Sequence, residues 1–193
     1  LLYGLILTAA LLVRMALLGE PSLLEQEASW AYQAWQVSQG EAVALGSRVA
    51  YLAGTEALFS LFGGSDFLAR FWPALAGSLV VGIPYLFRRS IGTPAALVLA
   101  AGFALDPALV GVSRIAGGGV PALVFLGLAL GALHRSRFSW AVFFTGLGLL
   151  SGPDFWLGFL IGGISLLAGS AAGLVSPGDY LRERGEDWRI WSK

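Results

Sequence analysis

The sequence has no cysteine, a single histidine and a single methionine among 193 residues, and only 12% of them are charged. Without cysteine nothing rests on disulfides, and the redox compartment leaves no trace in the chain. With one histidine and no cysteine there is no His/Cys metal cluster, so no resident metal or cofactor is expected. A divalent metal ion stays open. Net charge is zero and no basic run occurs, which argues against nucleic acid as a partner. There is no phosphate loop and no nucleophile elbow. Gly117-Gly118-Gly119 is not a dinucleotide fingerprint, because no strand and helix flank it.

What the chain has in quantity is apolar surface: 56% of residues are hydrophobic and the mean hydropathy is +0.75. Soluble domains carry about 25% charged residues. The composition therefore predicts an all-α, polytopic transmembrane bundle, integral to a cell membrane. Six spans are expected, over 1–18, 66–89, 93–113, 120–133, 138–150 and 155–175. Two juxtamembrane helices, 22–39 and 49–62, join the first span to the second. Residues 1–175 form one membrane domain, and 176–193 a polar cytoplasmic tail whose two Trp suit an interface. The chain opens on Leu rather than Met, and is expected to be a piece of a longer protein. Residues 1–18 lack a small-residue cleavage site after them, unlike a signal peptide. Residues 49–62 would reach about 21 Å, short of a ~30 Å hydrocarbon core, and should lie along the outer interface.

Charge orients this bundle. With the start of the first span in the cytoplasm, Arg88, Arg89, Arg135, Arg137, Arg182, Arg184, Arg189 and Lys193 are cytoplasmic. Arg14, Arg48, Arg70 and Arg114 fall toward the outer face, with Arg14 snorkelling to it. The acids from Glu20 to Asp154 share that face. His134 reads as part of a cytoplasmic anchor. The glycines, among them Gly158, Gly162, Gly163 and Gly169 beside Ala168, read as close helix packing.

The stretch SLLEQEASWAYQAWQVSQG, residues 22–40, is the first polar segment and reads as an amphipathic helix. Ser22 and Glu25 have capping-box spacing. At about 100° per residue, Glu25 falls on the polar arc and Glu27 on the apolar one, near Leu23, Trp30, Ala31 and Ala34. A carboxylate there must be paired, desolvated or facing a cavity. Two readings stand for Glu27: a general base, or a structural ion pair with Arg48, Arg70 or Arg114. Arg70 and Arg114 suit phosphate in fork geometry. Their plainer partners are Asp66, four residues from Arg70, and Asp106, two turns before Arg114. Glu56, on an apolar helix, is a minor candidate. Trp30, Tyr32 and Trp35 suit interface anchoring or stacking on sugar or lipid.

The stretch LFGGSDFLARFWPALAGSLVVGIPYLFRRSIG, residues 61–92, resembles the polyprenyl-phosphate-sugar-dependent glycosyltransferases of the GT-C fold. These include the protein O-mannosyltransferases and the aminoarabinose transferases of lipid A. In that family an LFG-x-S-(D/E) stretch precedes an Arg-bearing second span that ends at a basic turn. Pro107 followed by Ser113-Arg114 is similar to the family's third-to-fourth span junction, and residues 151–158 resemble its fifth-to-sixth turn. The ordered likeness runs to about residue 175. It implies an inverting transfer of a hexosyl or pentosyl group from a polyprenyl-phosphate donor at the outer face. The family's acidic pair in the first outer loop aligns with Gln26 and Glu27, which implies Glu27 as the base. Arg70, Arg114, Glu25 and Arg48 would hold the substrate. The alternative is a non-catalytic membrane protein on the same scaffold, binding lipid-linked sugar or a partner. A transporter ranks third, since no broken-helix pair recurs in matching halves.

Overall fold

A computed structural model describes residues 2–43 and 47–171. The described residues are helical and contain no strand. The helices are α1 (Leu2–Met15), α2 (Glu25–Ser38), α3 (Val49–Phe62), α4 (Asp66–Val80), α5 (Ile83–Leu86), α6 (Arg88–Ile91), α7 (Thr93–Leu105), α8 (Pro107–Ser113), α9 (Val120–His134), α10 (Phe138–Leu150) and α11 (Asp154–Ala171). The chain divides into two units, 1–156 and 157–193. The second is described as the continuation of α11 to Ala171. The polar tail at 176–193 and the end of the span expected over 155–175 lie outside what is described, as do the side-chain surroundings of Gly163, Ala168 and Gly169 within α11.

Prolines and glycines set the element ends. Residues 66–89, expected as one span, break after Val80, where Pro84 lacks the N–H that would bond the Val80 carbonyl, and again at Phe87. The expected span 93–113 bends by 57° at Asp106-Pro107. Asp106 takes extended backbone, as a residue before proline must, and its Oδ1 accepts the Leu109 N–H at 2.8 Å, starting α8. Among the described residues no single helix is long and apolar enough to cross a membrane; α7 and α8 reach that length and apolarity as a bent pair.

Within unit 1, α4 packs between α1, α3, α8 and α9, and α9 pairs with α10. At Gly77 the approach of α4 to Ser113 leaves no room for a Cβ. One core gathers Ala31 and Ala34 of α2, Tyr51, Leu52 and Phe59 of α3, Ala69 of α4 and Ala116. Helix α3 therefore sits on α2 and α4.

Two prolines leave carbonyls that long side chains then take. Pro73 lies inside α4 and cannot bond the Ala69 carbonyl, which accepts the Tyr51 hydroxyl at 3.0 Å instead. Pro107 likewise leaves the Phe103 carbonyl, and Arg14 Nη2 donates to it at 2.9 Å. Arg14 Nη1 donates to the Ala104 and Ala10 carbonyls at 3.2 and 3.3 Å. Arg14 is thus fully buried at the α7–α8 break, where the carbonyl end of α7 favours a cation. The snorkelling position expected from sequence is not the one it takes.

Candidate functional site

Helix α2 begins at Glu25, so Ser22 is not its cap. The Leu24 N–H donates to Glu27 Oε2 at 2.9 Å. Glu27, third residue of the helix, thus does the work that the sequence pattern assigned to Glu25. Glu25 is exposed, and its carboxylate makes no hydrogen bond to the described residues.

Glu27 is buried, and so is Arg70. Arg70 Nε and Nη2 donate to Glu27 Oε1 and Oε2 at 3.0 and 2.8 Å, a two-pronged pair. The Ala116 N–H donates to Oε1 at 2.7 Å. With Leu24, each carboxylate oxygen accepts two hydrogen bonds, which fills its lone pairs. Arg70 Nη1 donates to the Leu18 and Pro21 carbonyls at 3.2 and 2.6 Å, and Nη2 to Ser22 at 3.1 Å. All five guanidinium N–H groups are engaged. Burial raises the Glu27 pKa, but hydrogen bonds from Arg70, Leu24 and Ala116 outweigh it and hold the carboxyl below its usual range. The Tyr51 hydroxyl, beside this pair, is pushed up to about 12 by burial.

Of the readings open for Glu27, the ion pair is the one present, with Arg70 as its partner. Arg70 makes no ion pair with Asp66. Arg114 does not reach Glu27 or Asp106; its Nη2 donates to the Ala16 and Leu17 carbonyls at 2.8 and 3.1 Å. Arg70 and Arg114 together take five carbonyls of the 16–22 turn, at the negative end of α1. Glu56 accepts from Ser60 Oγ at 3.0 Å and joins no cluster.

Arg48 belongs to a second arrangement, which sequence reasoning missed. Its Nη2 lies 3.0 Å from Asp154 Oδ2, and its guanidinium sits over the Trp30 ring, 5.6 Å from the centroid. Arg48 Nη1 is buried with no hydrogen-bond partner among the described residues. Asp154 is the accessible member, 37% exposed at the side chain. Two glycines make room here. A Cβ on Gly119 would stand 2.6 Å from Asp154 Cγ. Gly117 takes φ +67°, and a Cβ on it would meet Trp30 at 2.9 Å.

An apolar groove of about 270 Å³ runs between α3, α4 and α9, lined by Tyr51, Trp72, Leu75, Val124 and Phe125 among others. Gly118 and Ser151 also line it; they adjoin Gly119 and the turn that carries Asp154. The polar pair thus stands beside one part of an apolar channel. Among the described residues no three His, Cys, Asp or Glu side chains converge to hold a metal. Compared with protein-family models, with curated proteins and with solved structures, the chain gives no match.

Proposed function

We propose that this chain is the membrane portion of a glycosyltransferase that takes a sugar from a polyprenyl-phosphate carrier at the outer face of a membrane. The observation that carries the reading is the apolar groove between α3, α4 and α9 with the Arg48–Asp154 pair beside it. An isoprenoid chain gains about 25 cal/mol for each Å² of apolar surface it buries there. The phosphate would meet Arg48, whose guanidinium is partly exposed beside the groove. Asp154 is the carboxylate open to an acceptor hydroxyl: it would take the proton as the hydroxyl oxygen bonds to the anomeric carbon and the phosphate leaves with the electron pair. Glu27, with both oxygens filled, would hold Arg70 and the 16–24 turn in place. The base role that the resemblance implied for it passes to Asp154.

The membrane setting is supported by the apolar composition and by large apolar side chains left exposed on unit 1, such as Leu12, Val98, Leu105 and Phe143. The six-span bundle, with α3 along the outer interface, belongs to the same proposal. Cysteine at Ser38 should react with an impermeant outside reagent, and cysteine at Ser136 should not. The reverse labelling inverts the orientation.

A second reading, a non-catalytic binder of lipid-linked sugar on the same scaffold, draws on the saturation of Glu27. Turnover of polyprenyl-phosphate sugar by the full-length protein in detergent separates the two. The enzyme reading expects turnover that falls about 10²–10⁴-fold in Asp154→Asn. Binding without turnover favours the second reading, and neither binding nor turnover removes both.

A further inference from the structure

Helix α9 carries the chain from Val120, beside the groove, to His134, about 22 Å away along its axis. There the turn after α9 meets α5 and α6 around a cavity of about 370 Å³. Arg88, Arg89, Arg135 and Arg137 line it, with Tyr85 and His134. Ser136 takes φ +57° in the tight turn that sets Arg135 and Arg137 on either side of it. The Arg88 guanidinium carbon sits over the Tyr85 ring, 3.8 Å from its centroid. Arg135 reaches the Leu86 carbonyl with one long contact of 3.4 Å. His134 Nε2 and Ser90 Oγ are 2.9 Å apart.

Four guanidinium groups share this cavity, and no described carboxylate pairs with any of them. The ion pairs among the described residues are Glu27–Arg70 and Arg48–Asp154, both elsewhere. Like charges gathered with no counter-charge among the described residues repel one another. The arrangement calls for a multivalent anion, and guanidinium forks match the oxygens of phosphate. Ile91 and Phe138, exposed apolar side chains adjoining the basic residues in sequence, would suit a phosphate borne by a lipid.

We propose that this cavity is a phosphate-binding site, distinct from the groove and independent of the glycosyl-transfer reading. Its ligand is a phosphate group, carried by an anionic lipid headgroup or free in solution. A pocket of this kind would tie one end of the bundle to an anionic leaflet.

The test uses the full chain in neutral detergent, offered equimolar phosphatidylglycerol and phosphatidylcholine, with retained lipid read by native mass spectrometry. Inorganic phosphate is titrated in a parallel thermal melt. The lipid-borne source predicts phosphatidylglycerol retained roughly tenfold over phosphatidylcholine. The free source predicts a rise in Tm with inorganic phosphate and no lipid preference. Whichever signal appears should vanish in Arg88→Gln/Arg135→Gln. It should also weaken several-fold in Arg88→Lys/Arg135→Lys, which keeps the charge and loses the forks. Equal retention of both lipids with no phosphate-dependent rise in Tm overturns the proposal. So does a full signal in the double-lysine variant, which would mark diffuse surface charge rather than a built site.

Discussion

Arg70 and Glu27 face each other through two parallel hydrogen bonds of 2.8 and 3.0 Å, and every remaining polar position on both side chains is also taken. The pair joins four pieces of chain: the turn after α1, the start of α2, α4, and Ala116 in the loop before α9. A buried ion pair is worth keeping only when its remaining donors and acceptors are satisfied, and here they are.

Removing one partner should therefore be costly. Glu27→Gln leaves a buried guanidinium without its counter-charge and should lower stability by about 3 kcal/mol. Glu25→Gln, on the exposed side of the same helix, should leave Tm unchanged. Thermal melts of the two variants beside the wild type check this; equal Tm values for all three would deny the pair its structural role.

The same carboxylate sets a pH dependence. Its folded-state pKa lies below the ordinary 4.5, so the folded state holds fewer protons than the unfolded one in that window. Its contribution is complete above 4.5 and is lost as pH falls toward the folded-state value. Wild-type stability should fall more steeply than that of Glu27→Gln below pH 4.5, and the two curves should run parallel above it. Parallel curves throughout would contradict the assignment.

The Tyr51 hydroxyl answers the carbonyl that Pro73 leaves free. Tyr51→Phe should cost about 1–3 kcal/mol, the penalty for a buried acceptor left unpaired. In a Pro73→Ala background the helix regains its own N–H donor, and Tyr51→Phe should then cost less. A double-mutant cycle reads this coupling directly; additive effects would sever the link between the two residues.

Gly117→Ala forces a side chain into φ +67° and against Trp30, and moves the neighbouring Ala116 N–H off Glu27. A loss of about 2 kcal/mol is expected. Gly102→Ala, inside α7 with open space around it, should instead gain about 0.5–1 kcal/mol. Chemical denaturation of both variants tests the contrast. A Gly117→Ala protein as stable as the wild type would remove the strain argument.

Part of this was legible in the sequence. The helical period placed Glu27 on the wrong arc for a solvated carboxylate, and it is buried. Its task was not legible, because Arg70 and Ala116 lie 43 and 89 residues away, and the helix is capped at Leu24, two residues later than Ser22 suggested. The kink at Asp106-Pro107 is local chemistry and could be read. The break at Pro84 was hidden inside a long apolar run. Arg48–Asp154 left no signal in either neighbourhood. The glycine run at 117–119, which matched no motif, finds its reason in Trp30 and Asp154, side chains it had to make room for.

The groove is the centre of the functional account, and photo-crosslinking reads it most directly. A polyprenyl phosphate with a photoactivatable group on its isoprenoid chain would be bound to the full-length protein in detergent, and the labelled peptides mapped. The account predicts labels on α3, α4 and α9 at residues such as Trp72 and Phe125, strongly reduced in Arg48→Gln and absent when Ala76→Phe fills the channel. Labelling spread evenly over the exposed apolar surface, or equal labelling by the matching polyprenol without phosphate, would contradict it.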